Sequence, residues 1–99
     1  MRVIYREVGG FAGLRRGVEL DTDALSPREA RKLERLVAAA ALEARDMHAP
    51  PEARDLVVYE IRIETRATLI VSRFDDMTAP ESAGELVEFL RSRAKALAP

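Results

Sequence analysis

The catalytic material in this 99-residue chain is sparse: one histidine, no cysteine, and scattered carboxylates and hydroxyls. His48 stands in a proline-containing stretch. A metal centre or a nucleophilic triad needs partners at defined spacing, and none accompanies it, so it reads as an exposed loop residue. Asp75-Asp76 is an adjacent carboxylate pair, and a solvated turn just ahead of a helix accounts for it, because the helix dipole favours acids there. Ser26, Ser72 and Thr78 have no base beside them or have structural explanations. Without cysteine there is no disulfide, thiolate zinc site or thiol nucleophile. The chain reads as a non-enzyme with neither metal nor cofactor of its own.

The segment that asks for a binding explanation is Gly9-Gly10-Phe11-Ala12-Gly13-Leu14. It is not a phosphate loop: it lacks the Lys-Ser/Thr ending and lies between two strand patterns rather than before a helix. A plain hairpin turn with Phe11 tucked inward is one reading. The other is a tip that presents an aromatic residue to a partner, with the glycines letting the backbone turn and approach closely.

The elements around it follow from periodicity. Met1 to Arg6 alternates, with Val3 and Tyr5 on one face and Arg2 and Arg6 on the other. Leu14 to Asp21 returns, with Leu14, Val18 and Leu20 inward. Ser26-Pro27-Arg28-Glu29 opens a helix as a capping box with proline at the first helical position. Leu33, Leu36, Val37, Ala40 and Ala41 then recur at helical spacing, and the helix is expected to fade near Glu43 to Arg45. Asp46 to Asp55, with Pro50-Pro51, reads as a loop. Leu56 to Glu64 points Val57, Tyr59, Ile61 and Ile63 one way. After a tight turn at Thr65-Arg66, Ala67 to Arg73 is expected to place Ala67, Leu69 and Val71 on the core side. Thr78 and Glu81 suggest a second capping box, and the last helix is expected to carry Leu86, Val87, Phe89, Leu90 and Leu97. Tyr5 and Tyr59 read as packing residues whose hydroxyls reach the edge of the core. The order is ββαββα, and the expectation is an α+β fold: a four-stranded antiparallel sheet with two helices packed on one face.

Composition bounds the rest. Residues 1–99 make one domain with one core. Sixteen basic and 17 acidic residues leave a net charge of −1. That balance gives no field to draw in nucleic acid or an anionic membrane. No signal-peptide run or membrane span is visible, so the default location is cytoplasmic.

The opening Met1-Arg2-Val3-Ile4-Tyr5-Arg6, followed by Gly9-Gly10-Phe11-Ala12-Gly13-Leu14, resembles emfourin, the protealysin-associated inhibitor family. The helix entered through Ser26-Pro27, the hairpin opened by Asp55 and Tyr59 and the helix near Thr78-Ala79-Pro80-Glu81 follow in the same order. The chain departs from the family pattern after the first helix, where Arg45-Asp46-Met47-His48-Ala49 replaces paired aromatics and a leucine. The resemblance implies an inhibitor of thermolysin-like zinc metallopeptidases, such as a protealysin-like enzyme of the same cell, monomeric when free. The zinc would belong to the target. The partner-binding residues would be Gly9, Gly10, Phe11, Ala12, Gly13 and Leu14, helped by 46–55, Thr65-Arg66 and Phe74 to Met77. Whether a carboxylate such as Glu7, Asp75 or Asp76, or a backbone carbonyl, would reach that zinc is left open. The alternative reading is a non-inhibitory interaction module, an adaptor or a homodimer built on an exposed sheet edge.

Overall fold

Alternation along the first strand organises the molecule: Val3, Tyr5 and Glu7 point inward, while Arg2, Arg6 and Val8 point out. The computed structural model describes residues 1–9, 14–47 and 56–97. Along the chain come β1 (Arg2–Gly9), β2 (Leu14–Asp21), α1 (Pro27–Ala40), β3 (Arg45–Met47), β4 (Val57–Glu64), β5 (Leu69–Asp75), a 3-10 turn (Glu81–Ala83), α2 (Gly84–Arg91) and β6 (Lys95–Ala96). The sheet order is β3-β5-β4-β1-β2-β6, so β1 is an interior strand flanked by β2 and β4. No helix among the described residues is long and apolar enough to cross a membrane.

The α+β class and the two helices agree with the sequence reading, whereas the four-stranded antiparallel sheet does not. The sheet has six strands and is mixed, because β3 adds parallel to β5 at one edge and β6 adds antiparallel to β2 at the other. These additions are three and two residues long. Strands that short carry too little alternation to register as a period.

The inward face of β5 is also the opposite of the expected one. Ile70, Ser72 and Phe74 pair with Ile63, Ile61 and Tyr59, while Leu69 and Val71 lie on the other face. Residues directly opposite in an antiparallel pair share a face, so the inward parity of β4 dictates that of β5. The apolar run Leu69-Ile70-Val71 hides this parity, and the turn spans Thr65 to Thr68, closed by Thr65 N–H donating to the Thr68 carbonyl at 2.9 Å.

The core is one cluster. Val3, Tyr5, Ile61 and Phe74 from the sheet meet Leu33, Leu86 and Leu90 from the two helices, all fully buried. Each such side chain contributes about 1.5–3 kcal/mol through removal from water. Helix α1 begins as expected: the Ser26 hydroxyl accepts from Glu29 N–H at 3.2 Å. It ends earlier than the periodicity suggests, at Ala40, because Ala41 takes a left-handed conformation (φ 48°) and turns Leu42 back into the core. Thr78 caps no helix, since Pro80 precedes the 3-10 turn and no side chain caps it. Leu97 lies beyond α2, in the segment continuing from β6, and is exposed.

The outer sheet face carries ion pairs. Arg2 bridges to Glu19 and Glu64, and Glu60 accepts from Arg62 at 3.0 Å and from Arg73 at 2.7 Å. Burial pushes the Glu60 carboxyl up, yet the hydrogen bonds from Arg73 and Arg62 outweigh it and hold it below its ordinary value.

Two stability changes follow. Ala41→Gly removes the left-handed penalty of a β-carbon and is expected to stabilise by about 1 kcal/mol. Ser72 is buried with no hydrogen-bond partner for its hydroxyl among the described residues. Ser72→Ala is expected to stabilise by about 1 kcal/mol, because an unsatisfied buried hydroxyl is removed. Urea midpoints at unchanged m-value would read both; a loss of stability in either variant contradicts its explanation.

Candidate partner-binding site

Strand register determines what gathers at one end of the sheet. Gly9 pairs with Leu14 across the hairpin and with Val57 on the other side. One row inward, Val8 pairs with Arg15 and Val58, and Val58 pairs with Asp75. The connections leaving Gly9, entering Val57 and leaving Asp75 therefore emerge at the same end. Strands two places apart, such as β1 and β5, lie about 10 Å from each other.

Of the residues expected to bind a partner, Gly9 ends β1 and Leu14 opens β2. Gly10, Phe11, Ala12 and Gly13 lie outside the described residues, as do His48, Pro50-Pro51 and Asp55. Gly9 is needed where it stands. Its φ is 116°, and a β-carbon there would come 2.8 Å from the Leu56 carbonyl oxygen. A side chain would be strained by that φ and would clash with backbone.

Directly behind this hairpin base lies a buried carboxylate. Glu7 is 5% exposed. Its Oε2 accepts from the Tyr5 hydroxyl at 2.6 Å and lies 3.3 Å from Arg91 Nε, while Oε1 lies 3.4 Å from Arg16 Nη1. One acid thus joins β1, β2 and the last residue of α2. Tyr5 stacks on Tyr59 with centroids 6.4 Å apart, and Tyr59 meets Phe74 at 5.8 Å.

The two acids after Phe74 are engaged in the same way. Asp75 Oδ1 accepts from the N–H groups of Met77 and Thr78 at 2.8 and 2.9 Å, and Thr78 Oγ1 accepts from Asp75 N–H at 2.9 Å. Asp76 accepts from the Tyr59 hydroxyl at 2.6 Å and from Val57 N–H at 3.4 Å. Glu7, Asp75 and Asp76 therefore serve to fix backbone and aromatic rings at this end of the sheet. The sequence reading had not given them this work. For Glu7 the signal was available, since it continues the inward parity of Val3 and Tyr5. For the two aspartates it was not, because their partners come from β4 and from a turn that caps itself.

Burial, reinforced by the hydrogen bond to Asp76, pushes the Tyr59 phenol up to about 12. Burial and the bond to Glu7 push Tyr5 up as well. These are the only tyrosines in the chain. An unfolded phenol titrates near pH 10, so above that pH the unfolded state holds fewer protons than the folded one and stability falls as pH rises toward about 12. Phenolate absorbance is expected to stay flat at pH 10 and to rise only with loss of helical circular dichroism. A phenolate signal at pH 10 in a fully helical protein would contradict the burial of both rings.

No curated protein and no solved structure gives a significant match to the chain. The sequence model of the Emfourin family matches residues 5–91, from Tyr5 in β1 through the hairpin, both helices and the Asp75–Thr78 turn to Arg91 at the end of α2. That match spans 87 of the 99 residues, and the chain belongs to the Emfourin family.

Proposed function

We propose that this protein inhibits thermolysin-like zinc metallopeptidases by inserting the β1–β2 hairpin tip, Gly9 to Leu14, into the active-site cleft of a protealysin-like enzyme. Membership of the Emfourin family over residues 5–91 is the observation that carries this reading. The geometry supports it, because the hairpin base is braced by Glu7, Tyr5, Arg16 and Arg91. A braced base lowers the ordering cost that a loop pays on binding.

Occlusion of the cleft by apolar side chains is the part of the mechanism assigned to the tip, and Glu7, Asp75 and Asp76 are poorly placed to add zinc ligation to it. Glu7 and Asp75 are buried, and Asp76 is tied to Tyr59 and Val57. Drawing any of them onto a target's zinc would break bonds that hold the sheet end together. Phe11 and Leu14 instead supply the apolar bulk for a cleft that takes a large side chain beside the metal, and the inhibitor brings no cofactor. Acting in the cytoplasm, it would shield the cell from its own protease.

Mixing the purified chain with a thermolysin-like peptidase is expected to abolish peptide cleavage and to give a heterocomplex on size-exclusion chromatography. Phe11→Ala is expected to raise the inhibition constant about 30-fold, or about 2 kcal/mol. Undisturbed cleavage with no complex at excess chain would overturn the inhibitor reading, and an unchanged constant for Phe11→Ala would remove the tip from the mechanism.

A further inference from the structure

We infer that Met77 is a second anchor of the inhibitory surface, a flexible apolar plug held out on the preformed Asp75–Thr78 turn to fill an apolar subsite on the rim of the peptidase cleft. The inference rests on the inhibitor reading and deepens it. Met77 is 77% exposed, the most exposed of the large hydrophobic side chains among the described residues. Four such side chains are exposed: Val8, Leu69, Met77 and Leu97. Two of them, Val8 and Met77, belong to one end of the sheet. Val8 stands in the row that contains Arg15, Val58 and Asp75, and Met77 follows Asp75 by two residues, whereas the Leu97 side chain lies over Gly17, three rows inward from Gly9. Leu69 lies at the other end, opposite Glu64. Apolar exposure that gathers around the hairpin base marks a contact surface more than scattered surface leucines do.

The backbone that carries Met77 is held by hydrogen bonds, and its side chain is exposed. Asp75 Oδ1 takes the Met77 and Thr78 N–H groups together with the Thr78 hydroxyl at 3.0 Å. Asp76, next in the chain, is pinned to β4 through Tyr59 and Val57. A fixed backbone reduces the entropy lost on docking. An unbranched thioether adapts to irregular apolar pockets. Size points the same way: a stable protease–inhibitor interface takes about 800 Å² from each partner, more than a six-residue tip supplies, and the Met77 turn stands on a strand only about 10 Å from β1.

The test compares wild type, Met77→Glu, Met77→Ala and Leu69→Glu as inhibitors of thermolysin, with thermal unfolding of each free chain as the fold control. Met77→Glu is expected to raise the inhibition constant about tenfold or more, and Met77→Ala about threefold or more, with melting unchanged because the side chain is exposed. Leu69→Glu, at the far end, is expected to inhibit as wild type does. If Met77→Glu disturbs folding, Met77→Ala decides. Inhibition by the folded Met77 variants within about twofold of wild type overturns the anchor while leaving the inhibitor reading standing. A wild-type chain that neither inhibits nor binds thermolysin overturns the inhibitor reading, and the anchor with it.

Discussion

A single acid in the inward row of β1 sets the terms for the rest of the structure. A carboxylate taken out of water costs several kcal/mol unless it is paired and hydrogen-bonded. Glu7 meets that demand with a phenol from its own strand, an arginine from β2 and an arginine from the end of α2. The requirement works as a positional constraint. Strand β2 must hold the register that brings Arg16 opposite Glu7, and α2 must end where Arg91 reaches it. Purely apolar packing would tolerate a slide of the helix along the sheet; a buried charge with three partners does not. The cluster lies immediately inside the hairpin base, so a closely specified part of the core borders the surface proposed to meet a partner.

That surface follows one design at two places. At the hairpin base, a glycine with positive φ lets Leu56, which leads into β4, lie close against β1, and the strands beneath are tied through Glu7. After β5, a buried aspartate satisfies the turn's own N–H groups while its neighbour holds a tyrosine of the next strand. Polar groups spend their bonding capacity on backbone geometry and leave apolar side chains to face outward. This division suits a protein that acts by filling another molecule's cavity, where shape must be held before contact and chemistry is supplied by the other side.

Strict alternation made most of this legible before any coordinates. Val3 and Tyr5 gave the inward face of β1, Tyr59, Ile61 and Ile63 that of β4, and Ser26-Pro27 the start of α1. Where alternation lapsed, the reading lapsed with it. Leu69-Ile70-Val71 is apolar on both faces, so only pairing with β4 decides which residues turn in. The end of α1 depends on Ala41 adopting a conformation that alanine rarely takes, and nothing in an alanine-rich run announces it. The edge strands arise from pairing with segments far along the chain, Arg45 with Ser72 and Lys95 with Gly17, which no local pattern encodes. The family was legible from the opening strand and the glycine-rich segment, and the candidate site rests on that likeness. The bracing of that site was not legible, because hydrogen bonds between strands are a property of register rather than of composition.

The two edge strands carry a consequence for how the protein behaves in a crowded solution. A long bare sheet margin is a template on which identical chains stack into fibrils. Here one margin ends in the three-residue β3, where Arg45 and Asp46 bring charge, and the other is covered in part by the two-residue β6, with the exposed acids Glu19 and Asp21 further along β2. A strand of another copy approaching the rest of β2 would have to lie against ionised side chains. The charges along these short edges oppose the stacking of one copy on another.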